Sequence, residues 1–325
     1  MSKLNYTNDD LLESIKLGCM VPISQIALSD EDILRLASEE LELDVLSSVL
    51  KAREEYNVYV QDQDVNSSGE YRIPNRASGS KLRSVFLKDA NNTLYKCSEI
   101  SVDAVPNLTD YYSNGIWNPM FYVQNDKIIF INSSSQRVSA TSVCIHYYLD
   151  PSYLVLPERS LKITSINTTT GLIEVAERQI PSFIEPGAKI DLIQYKPQNS
   201  VRKLDATVVS VSSNTQVTSQ KFITISPSEI PEDLEVGDFI ALAGESPVPQ
   251  LTSNLRPLLA QATICRILES QGDNNNIAIA QSKLNRMVKG MSAIIQDRTE
   301  GNPKKVVARN GVSRAFGYNR RNRGG

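Results

Sequence analysis

The stretches IPSFIEPGAKIDLI at residues 180–193 and IPEDLEVGDFIALA at residues 230–243 repeat one pattern at an offset of 50 residues. In each copy an Ile-Pro pair leads through a Glu and a Gly into an alternating apolar segment. The Gly permits a tight turn, and the alternation is typical of a strand with one buried face. The matching positions are Ile180 and Ile230, Pro181 and Pro231, Glu185 and Glu235, Gly187 and Gly237, Ile190 and Ile240, and Leu192 and Leu242.

Turn sequences precede both copies, at residues 168–171 in the first and 212–214 in the second. Each therefore predicts a hairpin ahead of the repeated strand. The simplest interpretation is a duplicated β unit whose halves close one small barrel or sandwich over residues 153–243. A chance match between short β patterns is the alternative.

Helical patterns lie on both sides of the β sequences. In residues 1–56, Thr7 with Asp10 and Ser29 with Asp32 are Ser/Thr-x-x-Asp pairs that can begin helices, and the second helix is amphipathic to about Tyr56. Its other face is acidic, which favours a solvated surface or a basic partner over a cation site or acid–base chemistry. The acidic residues are Asp32, Glu39, Glu40, Glu42 and Asp44.

Two further helices are predicted in residues 244–300. Pro257 suits the first turn of one helix, which stops near residues 271–272, and a second helix covers about residues 276–297. We therefore expect an α+β fold in which the terminal helices pack together as one helical core. The inserted part would comprise a β-sheet region at 81–152 and the small barrel or sandwich.

Residues 57–80 are polar and rich in turn formers, which predicts a long extended loop. Loops of this length inside compact domains are usually functional. Its residues Tyr71, Arg72, Pro74 and Arg76 are candidates for contact between subunits.

Charge is distributed unevenly along the chain. The 34 Lys and Arg against 37 Asp and Glu give a net charge of −3 over 325 residues, which argues against a dedicated nucleic-acid or membrane-surface protein. Residues 301–325 nevertheless contain seven cations and no acid, so residues 1–300 carry −10. No apolar run resembles a signal peptide or a membrane span. The spacing of the four cysteines fits neither a disulfide framework nor a metal site, so we interpret them as buried thiols in a reducing compartment.

The basic tail at 301–325 is the main candidate site. It suits a flexible strap that orders on an acidic partner protein, the preferred interpretation, or a segment that follows phosphates and stacks on bases. In a ring of copies both could hold, since the tails would line one channel. The candidate contact residues are Lys304, Lys305, Arg309, Arg314, Phe316, Tyr318, Arg320, Arg321 and Arg323.

No catalytic motif is recognisable. The single histidine, His146, lies two residues from Cys144 in a strand-like run, where a thiol nucleophile and its base seldom meet productively, so a structural role is preferred. We expect no enzyme activity, no cofactor and no metal. An enzyme or carbohydrate-binding protein that uses the β domain remains a third hypothesis, but Trp117, the only tryptophan, lies outside that domain.

Residues 236–250 and 255–261, followed by the helix pair to Ile295, resemble head-to-tail adaptor (ring) proteins of tailed bacteriophages, the crAss-like type among them. Residues 71–79 with Leu82 and Arg83 do so too. The resemblance implies a non-enzymatic virion protein, assembled in the host cytoplasm, at the head–tail junction. A ring of about twelve copies would dock on the portal protein and connect it to the tail.

The same resemblance implies the partners. They are the portal protein, neighbouring copies, other tail or ring proteins and the passing genomic DNA, contacted without sequence specificity, with no membrane. Residues from about 276 to 325 would embrace or insert into the portal. The smallest adaptors of this family are nearly all helical, so the role of the β domain stays open: it would face outward or contact neighbouring ring proteins. The alternative function is nucleic-acid binding through the basic tail.

Overall fold

The computed structural model describes residues 6–19, 28–53, 55–103, 119–131, 140–176, 180–195, 200–213 and 221–295. The fold is α+β, with helices near both ends and sheets and a closed barrel between them. The helices are α1 (Asn8–Gly18), α2 (Asp30–Glu40), a π-helical turn (Leu41–Val45), α3 (Leu46–Ala52), α4 (Arg256–Gln271) and α5 (Asn274–Ile295).

Local sequence determines where these helices begin and end. The predicted capping boxes are present at Thr7 with Asp10 and at Ser29 with Asp32. Pro257 lies in the first turn of α4, and Gly272 ends that helix in the left-handed conformation at φ 70°. The second predicted helix ends at Ala52, four residues before Tyr56, because Arg53 is extended.

The strands are β1 (Val58–Asp64), β2 (Glu70–Arg72), β3 (Ala77–Asp89), β4 (Leu94–Lys96), β5 (Ser98–Glu99), β6 (Met120–Gln124), β7 (Lys127–Phe130), β8 (Ala140–Leu149), β9 (Tyr153–Leu154), β10 (Leu161–Asn167), β11 (Leu172–Val175), β12 (Lys189–Gln194), β13 (Ser200–Ser213), β14 (Lys221–Ile225), β15 (Phe239–Leu242) and β16 (Glu245–Ser246). Two four-stranded sheets have the orders β1-β8-β3-β4 and β2-β7-β6-β5. Strands β9 and β16 form a short parallel pair.

The barrel has the strand order β10-β11-β14-β13-β12-β15 and closes where β15 pairs with β10. The repeat lies at its centre. Ile190 pairs with Leu242 and Leu192 pairs with Ile240, so equivalent positions of the two copies pair crosswise. Both copies form the same turns, with amides of Ile184 and Leu234 bonded to the preceding proline carbonyls at 3.0 and 3.2 Å. The predicted closed β unit is thus confirmed as a barrel.

The prediction of a long extended loop at 57–80 is wrong. That segment contains β1, β2 and the start of β3, and β1 pairs with β8 from Val58↔Tyr148 to Asp64↔Ser142. It consists of polar edge strands joined by tight turns. The backbone of β1 forms hydrogen bonds with β8 along one edge. Its other edge is unpaired within the described chain.

The terminal helices share one apolar core, which we call the helical module. Leu11, Ile15, Ile33 and Leu34 from the N-terminal helices pack in it with Leu259 and other residues of α4. Helices separated by about 200 residues of β structure are therefore one packing unit. The barrel has a separate core of Ile, Leu and Val side chains.

Candidate interaction surfaces

Helix α4 is the centre of the helical module, in contact with α1, α2, the π-helical turn and α5. Eleven of its 16 residues are buried. Gly18 of α1 lies so close to α4 that a Cβ atom there would be 2.2 Å from Cδ1 of Ile264. This approach fixes α1 on α4, and it leaves α5 on another side with much of its surface exposed.

Buried polar groups attach the helical module to the β structure. The Asn8 side chain, fully buried, donates from Nδ2 to the carbonyls of Val155 at 2.7 Å and Ser246 at 2.9 Å. The Ser38 hydroxyl accepts from the amide of Leu154 at 2.9 Å. These bonds give the Leu154 amide and the Val155 carbonyl their partners and add a second donor to the Ser246 carbonyl, which also accepts from the Val155 amide at 3.0 Å. They therefore fix the position of the module on the parallel pair β9 and β16.

A charged joint connects β3 to the barrel. Arg76 donates from Nη1 to Asp191, whose side chain is fully buried, and from Nη2 to Ser152 at 2.8 Å. Asp191 also accepts from the amides of Asp205 at 3.0 Å and Gly244 at 2.9 Å. The carboxylate is therefore fully hydrogen-bonded, as a buried charge requires.

The four residues proposed for contact between subunits have different environments. Tyr71 is 3% exposed and lies in the core between the sheets, and Arg76 belongs to the joint with Asp191. Pro74 is half-buried and its carbonyl accepts from Ala77 in a turn. Arg72 is exposed and pairs with Asp126 at 3.1 Å. Among the four, Arg72 alone presents an exposed charge, and the role between subunits remains a prediction.

The candidate residues of the basic tail lie outside the described residues. They are Lys304, Lys305, Arg309, Arg314, Phe316, Tyr318, Arg320, Arg321 and Arg323.

The π-helical turn presents a surface that we call the acidic face, made of the exposed residues Glu39, Glu42, Leu43 and Asp44. Leu43 is 68% exposed and stands among three carboxylates. An inserted π turn shifts the phase of a helix, and such turns recur at functional sites. Here Leu41 and Val45 stay in the core on either side, while Leu43 points away from it.

Glu40 lies behind the acidic face, with its side chain 13% exposed and 3.9 Å from the guanidinium of Arg266. Burial, together with the nearby Asp44 carboxylate, raises the pKa of Glu40 to about 7. Arg266 opposes this change, and Glu269 adds to it. The charge at this edge of the helical module therefore changes near neutral pH.

Helix α5 presents the opposite charge. Its basic face consists of the exposed residues Ile279, Lys283, Arg286 and Lys289, and the helix contains no Asp or Glu. Ile279 is 70% exposed. Among the described side chains of α5, those packed against the module form one stripe of Ile277, Ala280, Leu284, Met287, Val288 and Met291. The exposure of Ile279 within the basic face is not evident from the sequence pattern.

A groove of about 530 Å³ lies between α1, α4 and α5. Its apolar lining includes Ala260, Ile264 and Met287. Arg256 is 8% exposed, and its guanidinium lies 4.8 Å from the ring centroid of Tyr6. The buried Nε of Arg256 has no hydrogen-bond partner in the described structure. The groove is suited to an apolar side chain that is accompanied by a hydrogen-bond acceptor.

His146 and Cys144 lie on β8, on the same face of the sheet, as predicted. The His146 ring stacks at 4.9 Å on Phe86, and burial lowers the pKa of His146. Burial raises the pKa of the Cys144 thiol to about 12, so the thiolate is scarce at neutral pH. All four cysteines are free and buried, as predicted from the sequence.

In the described ranges, no three His, Cys, Asp or Glu side chains are grouped so that they could hold a metal ion. No helix in this part of the chain combines the length and apolar character needed to cross a membrane. Comparison with protein-family models and with curated proteins found no match.

Proposed function

We propose that this chain is a non-enzymatic head-to-tail adaptor that forms a ring, docks on a portal protein and connects it to a tail around a DNA channel. The observation that carries the proposal is the helical module, in which helices from both ends of the chain form one core and present exposed charged faces. A ring subunit needs broad surfaces of this kind, because it contacts two neighbours and a partner above and below.

The residues that resemble the adaptor family support the same function. Residues 236–250 contain β15 and β16, which connect the barrel to the helical module, and residues 255–261 begin α4, its central helix. Helix α5 then leads towards the basic tail. These two segments thus belong to the framework of the part that would form the ring and reach the portal, whereas residues 71–79 with Leu82 and Arg83 lie in β2, β3 and the turn between them.

Nucleic-acid binding is the second candidate function, and one observation favours it. The basic face of α5 precedes a tail with seven more cations, so one end of the chain concentrates positive charge. Contacts of this kind neutralise phosphates and are lost as salt rises, because bound counterions are released from the nucleic acid when it binds protein.

The decisive experiment is native mass measurement of the complex that a tagged chain brings down from its source, at low and at high salt. We expect a salt-resistant assembly that contains equal numbers of this chain and one larger partner, with about a dozen copies of each. A monomer that releases nucleic acid as salt rises would overturn the adaptor function in favour of the second candidate.

A truncation after Glu300 separates the two functions further. An adaptor should stay folded and lose portal docking, whereas a tail-driven nucleic-acid binder should lose only its retention on DNA. Circular dichroism of the truncated chain checks that the fold survives.

A further inference from the structure

We propose that neighbouring copies of this chain contact each other through the acidic face of one copy and the basic face of the next. The inference rests on the proposed ring-forming function and names the surfaces that would build the ring. The two faces are defined above: Glu39, Glu42, Leu43 and Asp44 form one, and Ile279, Lys283, Arg286 and Lys289 form the other.

Exposed apolar side chains are the first argument. Leu43 and Ile279 are 68% and 70% exposed, whereas the nearby apolar residues Leu41, Val45, Ile277 and Ala280 pack in the core. Each stands among charges of a single sign. This combination of an apolar centre with a charged rim is the usual anatomy of an interface between proteins.

Unpaired charge is the second argument. Within the described residues, no salt bridge involves Glu39, Glu42 or Asp44, nor Lys283, Arg286 or Lys289, although many other charged side chains are paired. The acidic face therefore repels a second acidic face and attracts a basic one. Complementary charge of this kind selects the orientation of two copies and excludes the reverse one.

The nature of the contact is the third argument. We assign a heterologous contact, because the proposed ring needs each copy to offer its acidic face to one neighbour and its basic face to the other. Heterologous contacts build closed rings when the rotation between copies closes, and open filaments when it does not. Two copies alone would leave one face of each unsatisfied.

Charge reversal with mixing tests this inference. The double variant Glu39→Lys/Glu42→Lys has two basic faces, and the double variant Lys283→Glu/Arg286→Glu has two acidic ones. We expect each variant alone to weaken self-association at least about 100-fold, because like charges meet at every contact. An equal mixture should regain assembly within about 10-fold of the original chain, with the two variants alternating. Sedimentation and native mass spectrometry measure both.

A matched control carries the same charge change on the barrel. Glu185 and Glu232 are exposed and make no salt bridge in the described structure, so Glu185→Lys/Glu232→Lys should assemble like the original chain. Circular dichroism shows whether all variants are folded. The mixture guards against misfolding, since two misfolded variants would not restore each other.

The outcomes separate this inference from the proposed function. Reversed variants that assemble as well as the original chain would overturn the inference and leave the ring function intact. An original chain that stays monomeric, alone and with its partner, would overturn both. If truncation after Glu300 abolishes assembly and Lys283→Glu/Arg286→Glu does not, the acidic face binds the basic tail, and the assignment to α5 is wrong.

Discussion

The barrel and the helical module differ in how much unpaired surface they leave exposed. The barrel closes on itself, so each of its strands is paired on both sides. Its inner apolar side chains form one core, outward ones such as Ile193 and Phe239 pack against the sheets, and Val209 is 58% exposed. The helical module surrounds α4, and among the described side chains of α5 one stripe packs on the module while the basic face is exposed. The barrel leaves no strand edge open, whereas the helical module carries charged faces around exposed Leu43 and Ile279, to which we assign the contact with a neighbour.

This difference predicts where substitutions will act. Changes in the barrel and in its joints should lower the stability of the single chain. Changes on the exposed helix faces should alter assembly and leave the fold nearly unchanged.

The largest effect is expected at the joint between β3 and the barrel. Asp191→Ala would leave Arg76 with a buried charge and no carboxylate partner. Breaking a buried pair in this way costs about 3–5 kcal/mol. Denaturant unfolding should show this loss, whereas Asp233→Ala, which removes the more exposed partner of Arg202, should cost less than about 1 kcal/mol. Equal losses would show that the joint contributes no more than a surface pair.

A second test concerns Gly171, in the turn between β10 and β11 of the barrel. This residue has φ +73°, and a Cβ atom there would lie 2.0 Å from the carbonyl oxygen of Ile225. Gly171→Ala should cost about 3 kcal/mol, since backbone must move. Gly187, at φ +90° with open space around it, is the control, and its replacement by Ala should cost about 1 kcal/mol. Thermal unfolding of the two variants distinguishes the clash from conformational strain alone.

Asn8 tests the attachment of the helical module to the β structure. Asn8→Ala removes two buried hydrogen bonds and leaves the Val155 carbonyl short of a donor, whereas the Ser246 carbonyl keeps the bond from the Val155 amide. The expected loss is about 2 kcal/mol in denaturant unfolding. Ser14→Ala on the same helix removes an exposed bond to Asp10 and should change stability by less than about 0.5 kcal/mol. If Asn8→Ala leaves the free energy of unfolding unchanged, packing alone holds α1 in place.

The smallest effect is expected at Glu40, behind the acidic face. Its pKa is raised from 4.5 to about 7 in the folded chain, so the folded state binds the proton more tightly than the unfolded state. Stability from this group is therefore present at acidic pH and is lost as pH rises from about 4.5 to about 7. Glu40→Gln should stabilise the chain at pH 8 by about 1 kcal/mol. It should also make the free energy of unfolding depend less on pH between pH 5 and 8. Unfolding at several pH values measures this, and an unchanged slope would contradict it.

Sequence reasoning succeeded where the signal is local or repeated. Ser/Thr-x-x-Asp pairs specify the starts of α1 and α2, and the 50-residue repeat specified a closed β unit, because both copies contain the same turns before equivalent strands. Each signal spans a few residues, and its physical cause lies in those residues.

The missed features depend on distant residues. Strand β1 contains Gln61, Asp62, Gln63 and Asp64 in succession, so it has no apolar alternation, and only its pairing with β8 reveals it. Arg76 and Asp191 are 115 residues apart. The acidic residues of α2 were recognisable, but the exposure of Leu43 was not, because it depends on the π-helical turn.

The shared core of the first and last helices also determines the order in which a newly made chain can fold. Helices α1 and α2 are synthesised first, yet their apolar stripes pack on α4, which follows more than 200 residues later. The sheets and barrel can form meanwhile, but Leu11 and Ile33 stay uncovered until residue 259 has been made. Contacts of such long sequence separation fold slowly and leave apolar surface exposed during synthesis. Chaperone demand during translation should therefore be concentrated on the N-terminal helices.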